Sequence, residues 1–163
     1  MTEQLPIIVI LGPLLAAILS AFAAWFRPKW SHPLVVLGLA ASFAAALKLV
    51  FLVAGEDAKE YWLGGWGNQA HDYVVGIQIT VDSLNTLLLA AVSGIALLTA
   101  LYAKRLVDAE LAGRQRYFYA LFSLLVTGLL GIGITGDIFN LYVFMEIAAL
   151  SSYALIAYGK GRA

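Results

Sequence analysis

Along the chain, long apolar runs alternate with short charged breaks. A first run, Leu5 to Phe26, ends at Arg27-Pro28-Lys29-Trp30-Ser31-His32-Pro33, and a second, Leu34 to Ala54, carries one charge, Lys48, before Gly55-Glu56-Asp57-Ala58-Lys59-Glu60. Runs of about 20 apolar residues are what a helix needs to cross a hydrocarbon core about 30 Å thick. Pro6 falls in the first turn of helix one, where its missing N–H costs little, and Pro13 predicts a kink within that helix. Helix three is predicted to open at Asp82-Ser83, either of which can cap it, and to run to Ala103 before Lys104-Arg105. The polar stretch Lys104 to Arg116 reads as a short surface helix. Helix four follows over Tyr117 to Thr135, Gly136-Asp137 forms a turn, and helix five covers Ile138 to Tyr158 with Glu146 near its middle. Between helices two and three the period changes. Tyr61 to Trp66 and Tyr73 to Val81 predict two short strands, the second alternating Val75, Ile77, Ile79 and Val81 against Gly76, Gln78 and Thr80, so 61–81 reads as a small hairpin at the membrane surface.

The pattern predicts an all-α integral membrane protein, one membrane domain over 1–163, with about five transmembrane helices and a small external β-hairpin between the second and third. Composition supports it: 62% of the 163 residues are hydrophobic and 12% charged, where a soluble domain carries roughly a quarter charged residues. The net charge is zero and there is no basic patch, so nothing points to nucleic acid. The absence of cysteine removes disulfides, thiolate metal sites and iron–sulfur ligation, and no cofactor is expected. Thr2-Glu3-Gln4 is not a basic n-region, and the run after it outlasts a signal-peptide core, so helix one is expected to be retained.

Lys and Arg set the expected orientation. Arg27 and Lys29, then Lys104, Arg105, Arg114 and Arg116, then Lys160 and Arg162 all fall on one side if the odd helices run inward, whereas the segment between helices two and three has Lys59 alone. The N-terminus and the hairpin are therefore expected outside and the C-terminus in the cytoplasm, across a cell inner (cytoplasmic) membrane.

Several motifs have plain explanations. Gly131-Ile132-Gly133-Ile134-Thr135-Gly136 matches G-x-G-x-x-G, but a dinucleotide fingerprint follows a strand and opens a helix, and this one closes a membrane helix. Close helix packing and a turn are the expected use of its glycines. Trp25, Trp30, Trp62 and Trp66, with Tyr61 and Tyr158, fall near predicted span ends as interfacial anchors do. His32 and His71 are isolated in predicted aqueous loops, without the neighbours a metal site needs. Two ionisable groups inside spans are harder to explain. A charge at mid-bilayer costs about 2.5–3.5 kcal/mol on insertion scales, so such residues mark ion pathways. At about 1.5 Å per residue, Glu146 lies roughly 12 Å and Lys48 roughly 9 Å from the outer ends of their helices. Lys48 can snorkel along its own stem or pair with a buried carboxylate. Glu146 is too short to reach either surface and is expected to be buried, either neutral or paired with a cation.

The run Gly136-Asp137-Ile138-Phe139-Asn140-Leu141-Tyr142-Val143-Phe144-Met145-Glu146, continuing to Ser151-Ser152-Tyr153-Ala154-Leu155, resembles the fifth helix of antiporter-like subunits. These are the D-type subunit of Mrp-type sodium/proton antiporters and its relatives in membrane-bound hydrogenases and respiratory complex I. Trp62-Leu63-Gly64-Gly65-Trp66 and Gly76-Ile77-Gln78-Ile79-Thr80-Val81-Asp82-Ser83-Leu84 are similar to the family's external hairpin and the opening of its third helix. The resemblance covers nearly the whole chain, as the N-terminal part of such a subunit. It implies that Glu146 is the family's helix-five glutamate, an element of its proton path, with Lys48 a weaker candidate. It also implies a transport subunit without a catalytic residue for bond chemistry, which sits in lipid among other membrane subunits. One of these is expected to supply the remaining antiporter helices and their lysines. The other reading is a purely structural or assembly subunit with no ion path of its own.

Overall fold

The computed structural model describes residues 4–54, 59–62, 77–110 and 115–159. Among these residues, five helices are long and apolar enough to cross a membrane: α1 (Leu5–Phe26), α2 (Ser31–Val53), α3 (Ser83–Glu110), α4 (Gln115–Ile134) and α5 (Ile138–Gly159). Two boundaries differ from expectation. α2 begins at Ser31, ahead of Leu34, because Pro33 falls in a first turn whose N–H groups have no helical partner to lose. α3 passes Ala103 and continues to Glu110, so Lys104 to Glu110 extend α3 and do not form a separate surface helix. Lys and Arg are good helix formers, and the charges mark only where the helix leaves the apolar layer. Residues 111–114 lie outside the described residues.

Helices α1 to α4 form one group, with α1 between α2 and α4 and α3 against α2 and α4, while α5 packs on α4. Small residues let α1 and α2 touch through their backbones: a Cβ on Gly12 would lie 2.8 Å from the Gly38 carbonyl oxygen. Pro13 lacks the N–H that would bond the Val9 carbonyl one turn back. Ser42 Oγ on α2 donates to that carbonyl at 2.7 Å, and Ser123 Oγ on α4 donates to the Pro13 carbonyl at 2.7 Å. In a membrane a freed carbonyl is satisfied by a neighbouring helix, as Ser42 does for Val9, while Ser123 adds a second donor to a carbonyl that the proline does not free.

Two short strands, β1 (Lys59–Trp62) and β2 (Gln78–Val81), pair antiparallel, Lys59 opposite Val81 and Trp62 opposite Gln78. Residues 63–76, which hold the rest of the expected hairpin, lie outside the described residues. β2 leads directly into α3 through a reciprocal cap. Asn85 N–H donates to Asp82 Oδ1 at 2.7 Å, and Asp82 N–H donates to Asn85 Oδ1 at 2.8 Å. Ile79 and Val81 point into the core. On the other edge of β2, Gly136 N–H donates to the Gln78 carbonyl at 3.0 Å. A side chain on Gly136 would collide with Thr80 Oγ1, so the α4–α5 turn needs glycine to dock there.

Candidate functional site

The turn on β2 fixes where α5 starts. Asp137 caps it, accepting from Phe139 N–H at 2.8 Å and from Asn140 Nδ2 at 2.9 Å. Further along, the stripe Asn140, Phe144, Ala148 and Ser151 turns toward α4, spaced three or four residues apart as one helix face requires. The opposing surface of α4 is glycine. A Cβ on Gly128 would stand 2.8 Å from the Ala148 nitrogen and 2.9 Å from the Phe144 carbonyl oxygen, and one on Gly131 would occupy the Phe144 ring. Gly133 has only ordinary contacts, with Leu88 and Leu89 side chains 3.5 Å from a notional Cβ. Thus Gly131 and Gly136 serve helix packing and a turn, as the sequence suggests.

Glu146 follows Phe144 by two residues, about 200° round the helix, and so points away from α4. The described residues of this chain do not bury it: Glu146 is exposed. Its neighbours on that face, Phe139, Tyr142, Leu150 and Tyr153, are between 62% and 71% exposed. The cause is that, among the described residues, α5 packs chiefly on α4, through the side opposite Glu146. Lys48 on α2 is exposed too. The structure does not bring these two groups together, and among the described residues neither has an ion-pair partner. Asp82 and Asp137, by contrast, are both engaged in helix caps.

His32 does not stand in an aqueous loop. It occupies the first turn of α2, half-buried, where Nε2 lies 3.2 Å from the Ala100 carbonyl of α3 and therefore donates to it. Its ring meets Tyr119 of α4 edge to face at 5.2 Å. His71 lies outside the described residues. Trp25 and Trp30 are exposed at the α1–α2 junction, as interfacial anchors are. The Ser42 and Ser123 contacts to α1 were not foreseen. Pro13 signals a freed carbonyl at Val9, but its partner comes from another helix.

No protein-family model matches the chain. It is 37% identical over 165 residues, 99% of its length, to NADH-quinone oxidoreductase subunit N of Desulforudis audaxviator (strain MP104C), of which it covers 32%. It is 32% identical over 154 residues to the D-type subunit of the Na(+)/H(+) antiporter of Bacillus subtilis (strain 168), covering 90% of this chain and 29% of that protein. Among solved structures, it is similar to a chain of the membrane-bound sulfane sulfur reductase, an archaeal respiratory membrane complex. The TM-score is 0.84 at 29% identity, over 96% of this chain and 31% of that one. The chain thus spans about a third of the length of these relatives. Five apolar helices and relatives of this kind mean that the chain is a multi-pass membrane protein and belongs to the antiporter-like family of membrane subunits.

Proposed function

We propose that this chain is a membrane subunit of a multisubunit cation/proton antiporter or related respiratory or hydrogenase complex, in which Glu146 takes part in proton translocation. The observation that carries this reading is the outward face of α5. Exposed Phe139 or Leu150 needs no explanation in hydrocarbon, but a carboxyl on the same face does, at about 2.5–3.5 kcal/mol if charged in lipid. Since the described residues offer Glu146 no cation, its partner comes from protein packed against the far side of α5. A lysine on a chain or segment that supplies further antiporter helices fits that place. Lys48 is a weaker member of the path, because α2 packs away from α5.

Glu146→Gln keeps size and hydrogen bonding while removing the charge that would hold a partner lysine protonated. The assembled complex carrying it is expected to retain its subunits on a gel and to lose most of its ion transport, with Glu146→Asp milder. Transport near wild type would refute the proton-path role and leave the chain an assembly subunit with a neutral Glu146.

The orientation follows the Lys/Arg asymmetry, with the N-terminus and the β1–β2 region outside and the C-terminus in the cytoplasm. A cysteine at Gln69 should then react with an impermeant thiol reagent from outside, and one at Ala109 only after permeabilisation. Reversed labelling would invert the topology.

A further inference from the structure

The α1–α2 junction carries a second feature, independent of Glu146. Arg27 ends α1, its N–H donating to the Ala23 carbonyl at 2.7 Å, and a single 3-10 turn, Pro28–Trp30, follows. Trp30 N–H closes that turn on the Arg27 carbonyl at 3.0 Å. The turn brings Arg27 and Trp30 to one cavity. Together with Ala23 and Phe26 they line an open cavity of about 270 Å³. Its lining is mostly apolar, and Arg27, the charged residue among these four, is exposed and has no ion-pair partner among the described residues.

Phe26 and Trp30 are 77% and 57% exposed, so the cavity opens outward from the helix group. Charge at this end is one-sided where it is described. Lys29 lies in the same turn, and Lys104 and Arg105 are exposed where α3 leaves the apolar layer. Asp108 and Glu110 come later on α3, and their side chains lie outside the described residues. An open apolar surface bordered by an exposed arginine at the edge of the apolar layer suits an amphiphile with a negative head. Anionic glycerophospholipid is the abundant membrane component of that chemistry, and basic pockets near helix ends recognise such head groups.

We propose that the Arg27–Trp30 turn binds the head group of an anionic glycerophospholipid, its phosphodiester on the Arg27 guanidinium and the start of an acyl chain against Ala23, Phe26 and Trp30. A guanidinium holds a phosphodiester through paired N–H donors, which an ammonium cannot reproduce. The shared chemistry is a phosphate oxyanion, and the acyl contacts commit the site to lipid over free phosphate.

The test uses the full chain with Trp25, Trp62 and Trp66 changed to Phe, so that Trp30 alone reports. It is reconstituted in phosphatidylcholine with a fixed fraction of brominated phosphatidylglycerol or brominated phosphatidylcholine. Phosphatidylglycerol is expected to associate about fivefold more strongly by quenching, the ratio that corresponds to about 1 kcal/mol for one basic residue at an anionic surface. Arg27→Gln should abolish the preference while Arg105→Gln leaves it, and millimolar inorganic phosphate should not displace the lipid. Native mass spectrometry of the wild-type chain gives a second readout free of the tryptophan changes, with phosphatidylglycerol adducts falling about fivefold in Arg27→Gln. Equal quenching by the two lipids, equal loss in Arg105→Gln, or displacement by phosphate alone would each overturn the proposal.

Discussion

α4 and α5 are adjacent and both long enough to span a membrane, yet half of the apolar window of α4 is buried in the chain, against 6% for α5. α4 lies among α1, α2 and α3, and its inward positions are small or hydroxylic: Ser123 and Thr127 are fully buried, and Gly128 and Gly131 take α5 against backbone. Among the described residues, α5 has one main seat, on α4. Everything that sets its depth and rotation is on one stripe, from the Asp137 cap through Phe144 and Ala148 to Ser151. The opposite stripe, with Glu146, is left to whatever packs outside. A helix held on one side in this way presents its ionisable group at an angle fixed by glycines it does not contain.

This contrast can be broken at α4. Gly128→Ala drives a methyl onto the α5 backbone at Phe144 and Ala148, where no side chain can swing aside. The expected cost is about 2 kcal/mol of stability in detergent unfolding, as for overpacking a close contact. Spin labels at Tyr102 on α3 and Leu150 on α5 should also move apart. Gly133→Ala, five residues on in the same helix, meets ordinary contacts at 3.5 Å and should leave both measurements at wild type. Equal effects from the two substitutions would mean that general helix propensity, and not the α5 seat, is being measured.

The five spans were legible because hydropathy sums over some 20 residues and tolerates local irregularity. α1 over Leu5–Phe26 and the start of α5 at Ile138 fall where the apolar runs place them. Helix ends were less legible where charge and helix stop diverge, as at Lys104–Glu110. Helical spacing groups Phe139, Tyr142, Leu150 and Tyr153 with Glu146, but it does not say which side of α5 meets α4. That choice rests on Gly128 and Gly131, which hydropathy sees only as weak positions in an apolar run. Burial of Glu146 is not legible in the sequence for the same reason: depth in a bilayer is a one-dimensional quantity, and burial depends on which neighbour each face has.

The interior of the α1–α4 group offers the finer test of the comparison, because its polar contacts should be coupled where those of α5 are not. Ser42 Oγ bonds the Val9 carbonyl because Pro13 cannot. Ser42→Ala should therefore cost about 1 kcal/mol, in the range of interhelical hydrogen bonds in membranes. Pro13→Ala restores an N–H at position 13, which can take the same carbonyl within α1. In that background Ser42→Ala should cost almost nothing, so a double-mutant cycle should return a coupling close to the whole effect of Ser42→Ala. Ser123→Ala serves as the internal control, since Ser123 bonds the Pro13 carbonyl, an acceptor that the proline ring does not remove. Its cost should be similar in the wild-type and Pro13→Ala backgrounds. If Ser42→Ala is equally costly in both backgrounds, Ser42 acts by packing against Gly12 and the close helix approach there, and not through the carbonyl that Pro13 frees.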